Sequence, residues 1–457
     1  MSVYDQLPPP WEHQGHGVSL LLGGSAALWC DPRLGKNRIY TEALRIQSAL
    51  GEVDRVAVLC SVNAIEEHRR WLGDMMPDWP VELLRGMTPA ALGQSTRAVI
   101  LNPDILDFQV RRGQLYKGWL RTLLEWSNRG RLLVVMDECH KYASSPRSKE
   151  YKAIQQLARV ARVVWQLTGT FYERSALDAH HQLQLLGSRY PLSWWRDEAF
   201  GEKFCEQRHN PFKGQLKTGR RRDGSEYQYR AGGKDYTGIR DGAELELMNL
   251  LGGVVLRRRR DECLDVPRTR IIPRWVDHYE QAVELRRDEM ERLRSELILL
   301  KAQRTIEYVE SELRERPVIV YGWHKRLLTH LANHWQAPLI FGEKGQRQRV
   351  QIGQEFQAGK HPILVATLGM DAVDLAAADH CVYAEVDWSA TRMRQSMDRI
   401  VNGSKPQETV AHVLLVSGSV EEQVWDRILM KGQAIERLDL AARRLRELGL
   451  SFAELSS

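Results

Sequence analysis

Val134-Val135-Met136-Asp137-Glu138-Cys139-His140 is an apolar run that stops at two carboxylates. The run starts at Leu132 and has the length of a buried strand. In an open parallel sheet, ligands collect at the carboxyl ends of the strands. An Asp delivered to that edge suits Mg²⁺, and an adjacent Glu suits an attacking water. A plain strand end entering a polar loop would look the same, so the stretch needs a partner.

That partner lies upstream. Trp29-Cys30-Asp31-Pro32-Arg33-Leu34-Gly35-Lys36-Asn37-Arg38 follows small apolar residues from Ala26 and precedes a helical pattern from Ile39. A turn at Gly35 would aim backbone N–H groups at phosphates, and Lys36 would reach the β and γ oxygens. The fit to a phosphate loop is partial. Cys30 occupies the first Gly position, and Asn37 stands where Ser or Thr would bind Mg²⁺. Residues Arg33, Leu34, Gly35, Lys36, Asn37 and Arg38 are the expected nucleotide cradle, with Asp137 and Asn37 as expected metal ligands. A Gly-Lys pair alone is common; Gly-Lys after one strand and Asp-Glu ending a later one is not.

The chain has 457 residues, enough for two to three domains. Hydrophobic content of 43% and charged content of 27% are ordinary for a globular protein. The net charge of +6 is mild, but the positive residues are clumped, which matters more for polyanions than the total. Six scattered cysteines lack metal spacing and read as reduced thiols. No apolar run reaches membrane-spanning length and the N-terminus does not read as a signal peptide, so a cytoplasmic protein without a membrane partner is expected.

Taken in order, Trp11-Glu12-His13-Gln14 opens a helix ahead of the loop, and the two-faced amide of Gln14 suits an adenine edge, or is an ordinary surface Gln. Arg55–Cys60 is a strand followed by Ser61 and Asn63, small polar residues suited to a nucleic-acid backbone. Val163–Leu167 ends in Thr168-Gly169-Thr170, either an ordinary turn or hydroxyls beside Glu138. Alternating strands and helices predict a parallel α/β sheet.

The texture changes over residues 200–270. Lys213, Lys217, Arg220-Arg221-Arg222, Lys234 and Arg257-Arg258-Arg259-Arg260 are interleaved with Phe212, Tyr227, Tyr229 and Tyr236. Such a segment suits phosphates, since each one neutralised releases counterions. A solvated loop and helix end is the competing reading; phosphate contact is favoured for Arg257 to Arg260, with Arg257 and Arg258 as the expected DNA-binding residues. Glu and Arg at helical spacing then predict a linker over 271–316. Strands at Val318–Tyr321, Leu339–Gly342, Ile363–Thr367, Cys381–Val386 and Val413–Val416 predict a second α/β lobe over 317–457, with the first over 1–199.

With these pieces in order, the chain resembles the superfamily-two helicases, and within them the Swi/Snf-type DNA translocases, closest to the annealing-helicase group. Phe204-Cys205, Arg257 through Leu264 ahead of Pro267, and Glu385-Val386-Asp387-Trp388 ahead of Gln395 place it there. The resemblance implies two tandem RecA-like lobes sharing ATP and Mg²⁺. By it, Gln14 contacts adenine, Gly35 and Lys36 cradle phosphates, Asp137 holds Mg²⁺ through water, and Glu138 acts on the attacking water. Thr168 and Thr170 link ATP to DNA, Lys325 and Thr367 touch the DNA backbone, and Arg399 is an arginine finger.

The chain also departs from the family. Besides Asn37, it has Arg33 and Ala372 where Gly is expected, and Asn402 where a second finger arginine is expected. Arg392, Arg394 or Lys405 would have to substitute, or hydrolysis is slow. The leading expectation is a monomeric ATP-driven motor on duplex or forked DNA, contacting mostly backbone and remodelling or reannealing strands. No accessory domain is recognised beside the lobes, so a recruiting protein partner and a bacterial or phage-infected cell are expected. The alternatives are a catalytically weakened helicase-fold protein that binds DNA or a partner without efficient ATP hydrolysis, and an RNA helicase.

Overall fold

Seven short runs pair into one parallel sheet. In chain order they are β1 (Ala26–Cys30), β2 (Arg55–Leu59), β3 (Val81–Leu83), β4 (Ala98–Leu101), β5 (Leu132–Asp137), β6 (Val163–Thr168) and β7 (Val255–Arg258). Their spatial order is β7-β1-β6-β5-β2-β4-β3, parallel throughout. Strands β1 and β6 are buried along their whole length, as expected of strands covered on both faces. Because β6 lies between β1 and β5, the loop after Cys30, the hydroxyl of Thr168 and the carboxylate of Asp137 share one edge.

The computed structural model describes the chain apart from residues 1–7, 108, 112–113, 117, 173–174, 210–215, 221–225, 231–233, 265–268, 279–296, 342–345, 369–374, 388, 401–407 and 448–457. It separates into two compact units, Met1–Arg258 with Ala434–Ser457, and Arg259–Gln433. In the first, helices Glu12–Leu22 and Lys36–Ala49 pack with almost nothing between them. A Cβ on Gly17 would fall 2.8 Å from Cγ2 of Ile39, so only Gly permits that approach. The approach brings Gln14 down onto the loop that precedes Lys36.

Within 200–270 the chain forms antiparallel ribbons. Glu206–His209 pairs with Lys234–Thr237, and Leu216–Arg220 pairs with Glu226–Arg230. Phe212, Lys213, Arg221 and Arg222 lie outside the described residues, and only the backbone is described at Lys217, Arg220, Tyr227 and Tyr229.

The second unit is built on β8 (Thr269–His278), β9 (Val318–Gly322), β10 (Leu339–Ile340), β11 (Ile363–Thr367), β12 (His380–Tyr383) and β13 (Thr409–Ser417). The order is β8-β13-β12-β9-β11-β10, again parallel. Strand β8 corrects the expected helical linker over 271–316, which holds a strand before its helix Ile298–Glu312. It is an edge strand with Ile271 and Trp275 exposed, and an edge tolerates its Pro273. A second correction concerns the C-terminal helix, Val420–Glu447. Its residues from Ala434 belong to the first unit, where Leu438, Ala442 and Leu445 join the core.

Candidate active site

The site grows from the turn that links β1 to helix Lys36–Ala49. Gly35 caps the helix with φ +76°, in the left-handed region. That φ favours glycine, and a Cβ there would stand 2.3 Å from Nε2 of Gln14, so the Gln14 amide would have to shift. Gln14 Nε2 donates to the Leu34 carbonyl at 3.3 Å, and its Oε1 accepts from Trp11 N at 3.1 Å. His13 Nε2 also meets the Leu34 oxygen, at 3.0 Å. Both partners of the Gln14 amide are thus backbone atoms of this chain.

Lys36 folds over the loop, where Nζ donates to the Cys30 carbonyl at 2.9 Å. Arg33 is exposed and holds φ +69°, a strained conformation for a side-chain-bearing residue. Arg38 donates to the Pro8 carbonyl. The Asn37 amide donates to Glu67 Oε1 at 2.7 Å. This contact uses the amide nitrogen of Asn37 and not the oxygen expected to meet a metal.

Two strands away, Asp137 ends β5 and Glu138 follows with φ 48°, again left-handed. Such strain costs on the order of 1–3 kcal/mol and concentrates at functional sites. Tyr142 OH bonds the carbonyls of Leu59 and Asp137 at 3.0 and 2.8 Å and so pins the strand ends. Glu138 Oε2 is buried without a hydrogen bond and lies 3.2 Å from His140 Nδ1. Burial opposes its charge, but His140 and Lys36 prevail and hold the carboxyl well below the usual range. Glu138 therefore stays ionised.

His140 was not singled out from the sequence, yet it joins the two halves of this edge. Its Nδ1 is 2.8 Å from Thr168 Oγ1. Thr168 Oγ1 donates to the Thr170 carbonyl at 2.6 Å and accepts from Thr170 N at 3.0 Å. The proton shared by the first contact therefore belongs to His140. The imidazole thus bridges Glu138 to a buried Thr168–Thr170 turn.

The basic run at the end of β7 is organised inwards. Arg257 is 2% exposed. Its Nη1 pairs with Asp31 Oδ1 at 2.9 Å and its Nε with Asp439 Oδ1 at 2.7 Å. The same Nη1 donates to the Trp29 carbonyl at 3.0 Å. The expectation that Arg257 touches DNA phosphates is corrected: two carboxylates distant in sequence hold it inside the fold. Arg258 is half-buried beside His16, at 3.3 Å.

The remaining residues are spread more widely. Ser61 and Asn63 are half-buried at the end of β2. In the second unit, Lys325 begins helix Lys325–Trp335 with Nζ 5.3 Å from the Phe341 ring centre. Thr367 ends β11 opposite Gly322, and Arg399 caps helix Ala390–Asp398, where its carbonyl accepts from Leu375 N at 3.2 Å. Arg392 pairs with Asp387 at 3.2 Å. Ala372, Trp388, Asn402 and Lys405 lie outside the described residues.

For a metal-bound nucleotide the donor set of the first unit fits. It offers an ammonium at the loop, the Asp137 carboxylate across the edge, and an ionised Glu138 oxygen without a hydrogen bond. Among the described residues no three His, Cys, Asp or Glu side chains cluster as a metal site. No described helix is long and apolar enough to cross a membrane.

Residues 300–403 match the family described as helicase conserved C-terminal domain. The chain is 22% identical over 339 residues to the SWI/SNF-related matrix-associated actin-dependent regulator of chromatin subfamily A-like protein 1 of Xenopus tropicalis, covering 66% of this chain and 33% of that protein. It is 20% identical over 405 residues to the DNA annealing helicase and endonuclease ZRANB3 of Homo sapiens, covering 80% and 34%. The chain spans about a third of the length of these curated relatives. Among solved structures, the Sulfolobus solfataricus SWI2/SNF2 ATPase core in complex with dsDNA is similar, at TM-score 0.41 and 16% identity over 93% of this chain and 92% of that one.

Proposed function

We propose, on the premise that the chain is a superfamily-two helicase-like protein of the Swi/Snf type, that it is an ATP-driven translocase on duplex or forked DNA that remodels or reanneals strands. One observation supports this most: a single sheet edge gathers Lys36, Asp137, Glu138 and the Thr168–Thr170 turn, with His140 joining the last two.

Lys36 exchanges the Cys30 carbonyl for phosphate oxygens when nucleotide enters. Asp137 would hold the Mg²⁺ through water, and the ion would supply charge neutralisation to the phosphates. Glu138 stays ionised and orients the attacking water. His140 then passes the state of that carboxylate to Thr168 and Thr170, which contact the DNA strand. In the same proposal Gln14 releases its backbone partners to read adenine, and Arg399 supplies the finger charge. Ser61, Asn63, Arg258, Lys325 and Thr367 contact backbone phosphates rather than bases, so movement is indifferent to sequence.

A second reading, DNA binding without efficient hydrolysis, is favoured by Asn37, whose amide is given to Glu67. Phosphate release decides between them, measured without polymer and with single-stranded, duplex and forked DNA and RNA, for the native chain and Glu138→Gln. Turnover stimulated by duplex or forked DNA and lost in Glu138→Gln supports the motor. Turnover on no polymer leaves the binding reading, and turnover with RNA alone overturns the DNA assignment.

A further inference from the structure

Asp137 has an internal partner that the proposed chemistry does not use. His68 lies on helix Ile65–Met75 and is wholly buried. Its Nε2 is 3.2 Å from Asp137 Oδ2, and its Nδ1 is 2.9 Å from the hydroxyl of Tyr40, which is also wholly buried. Tyr40 sits one turn beyond Lys36 on the helix that follows the phosphate loop. Three elements therefore meet in one line of hydrogen bonds: the loop helix, the helix after β2, and the end of β5.

The protons in a neutral ring follow from the acceptors. A carboxylate only accepts, so the ring proton sits on Nε2 and is given to Asp137. Nδ1 then accepts, and Tyr40 O–H is the donor. Tyr40 thus fixes the tautomer of His68, and His68 fixes one oxygen of Asp137. The contact uses Oδ2 of Asp137 and not Oδ1.

A buried His on an apolar helix face is often only core packing. Here the ring is tied at both nitrogens, and one tie ends on the carboxylate at the edge. Hydrogen bonds to a metal-holding carboxylate set its orientation, and losing one typically costs about 10–100-fold in metal affinity.

We infer that Tyr40 and His68 are a positioning pair that orients Asp137 for the divalent cation of the bound nucleotide and locks that carboxylate to the phosphate-loop helix. The inference rests on the nucleotide-site reading given above. Neither residue touches the nucleotide; both act through Asp137.

The test is a Mn²⁺ titration followed by electron paramagnetic resonance in the presence of ADP. It is paired with binding of a fluorescent ADP in a chelator, where no metal contributes. His68→Ala removes the donor, Tyr40→Phe removes only the oxygen that fixes the tautomer, and His68→Gln restores a donor near the Nε2 position. The expected result is a Mn²⁺ half-saturation raised about tenfold or more by His68→Ala. Tyr40→Phe raises it by a smaller factor, and His68→Gln lies between native and His68→Ala. Metal-free ADP binding stays at the native level in all three. Should His68→Ala fail to fold, Tyr40→Phe and His68→Gln decide the matter alone.

Native Mn²⁺ half-saturation in Tyr40→Phe and in whichever His68 variants fold overturns the inference while leaving the nucleotide site standing. So does a shift matched by an equal loss of metal-free ADP. A native chain that binds neither ADP nor Mn²⁺ overturns the site reading and the inference together.

Discussion

The ammonium of Lys36 donates to the carbonyl oxygen of Cys30 at 2.9 Å, across the turn that Gly35 closes. A lysine held over its own loop in this way has a backbone oxygen where phosphate oxygens would be. In the proposed site, entry of a nucleotide would exchange one acceptor for a charged one, and a hydrogen bond to a charged group contributes about 1.5–3 kcal/mol. Lys36→Ala should therefore weaken nucleotide binding by about 10–100-fold. The resting contact is a single bond of a part-buried side chain, so thermal stability should change little. A fluorescent nucleotide titration beside a melting curve checks both halves. Unchanged affinity would remove Lys36 from the site.

Gly35 answers to two separate penalties, and a pair of substitutions can divide them. Its φ of +76° strains any L side chain, at about 1–3 kcal/mol. Its absent Cβ leaves the space that Nε2 of Gln14 fills, 2.3 Å from where that atom would be. Gly35→Ala should destabilise by the sum. Adding Gln14→Ala should relieve the clash but not the strain. Chemical denaturation of the four proteins in the cycle should show a coupling of about 0.5–3 kcal/mol between these positions. Strict additivity would mean that the loop and the first helix do not meet.

What the sequence conveyed, and what it hid, follows from how far apart the interacting residues lie. Strands β1, β5 and β6 are legible because parallel strands covered on both faces are continuous apolar runs. Lys36, Asp137 and Glu138 are legible because each ends or follows such a run. Arg257 was misread because its partners, Asp31 and Asp439, stand 226 and 182 residues away, and no local pattern marks a charge that will be buried. Strand β8 was missed because an edge strand with exposed side chains does not look like a buried one. His68 did leave a trace. Ile65, His68, Leu72 and Met75 fall at helical spacing and are all buried, so the helix period alone places the imidazole on the inner face.

Removing one partner of a buried ion pair leaves the other charge uncompensated, which costs about 3–5 kcal/mol. Arg257→Ala removes the guanidinium contacts of two carboxylates, Asp31 and Asp439, each almost fully buried. Urea denaturation should show a loss of that size. Arg257→Lys should rescue little, because an ammonium cannot reproduce the forked contacts. The salt dependence of DNA affinity reports phosphate contacts. Where Arg257→Ala can still be purified folded, that slope should match the native one. A smaller slope with native stability would restore the phosphate contact and refute the buried role.

Acid should destabilise the chain well above the range where carboxylates titrate. Burial depresses His180 to about 4 from 6.5, against the pull of the Trp195 carbonyl. Its neutral ring is fully engaged, with Nδ1 2.8 Å from Tyr190 OH and Nε2 3.2 Å from that carbonyl. In the second unit burial, helped by His380 and Arg274, likewise takes His412 to about 4. His412 is held between His380 Nδ1 at 2.8 Å and Tyr308 OH at 2.9 Å. Between pH 6.5 and 4 the unfolded chain binds a proton at each of these positions and the folded chain does not. Stability therefore rises with pH across that window and falls as the pH drops through it, by up to about 3 kcal/mol for each ring. The two rings lie in different units, so each variant isolates one of them. His180→Gln should flatten the acid side of the stability profile for the first unit, and His412→Gln should flatten it for the second. Denaturation midpoints taken from pH 7 to 4 read this directly. A native profile that is flat down to pH 5 would contradict the depression of both rings.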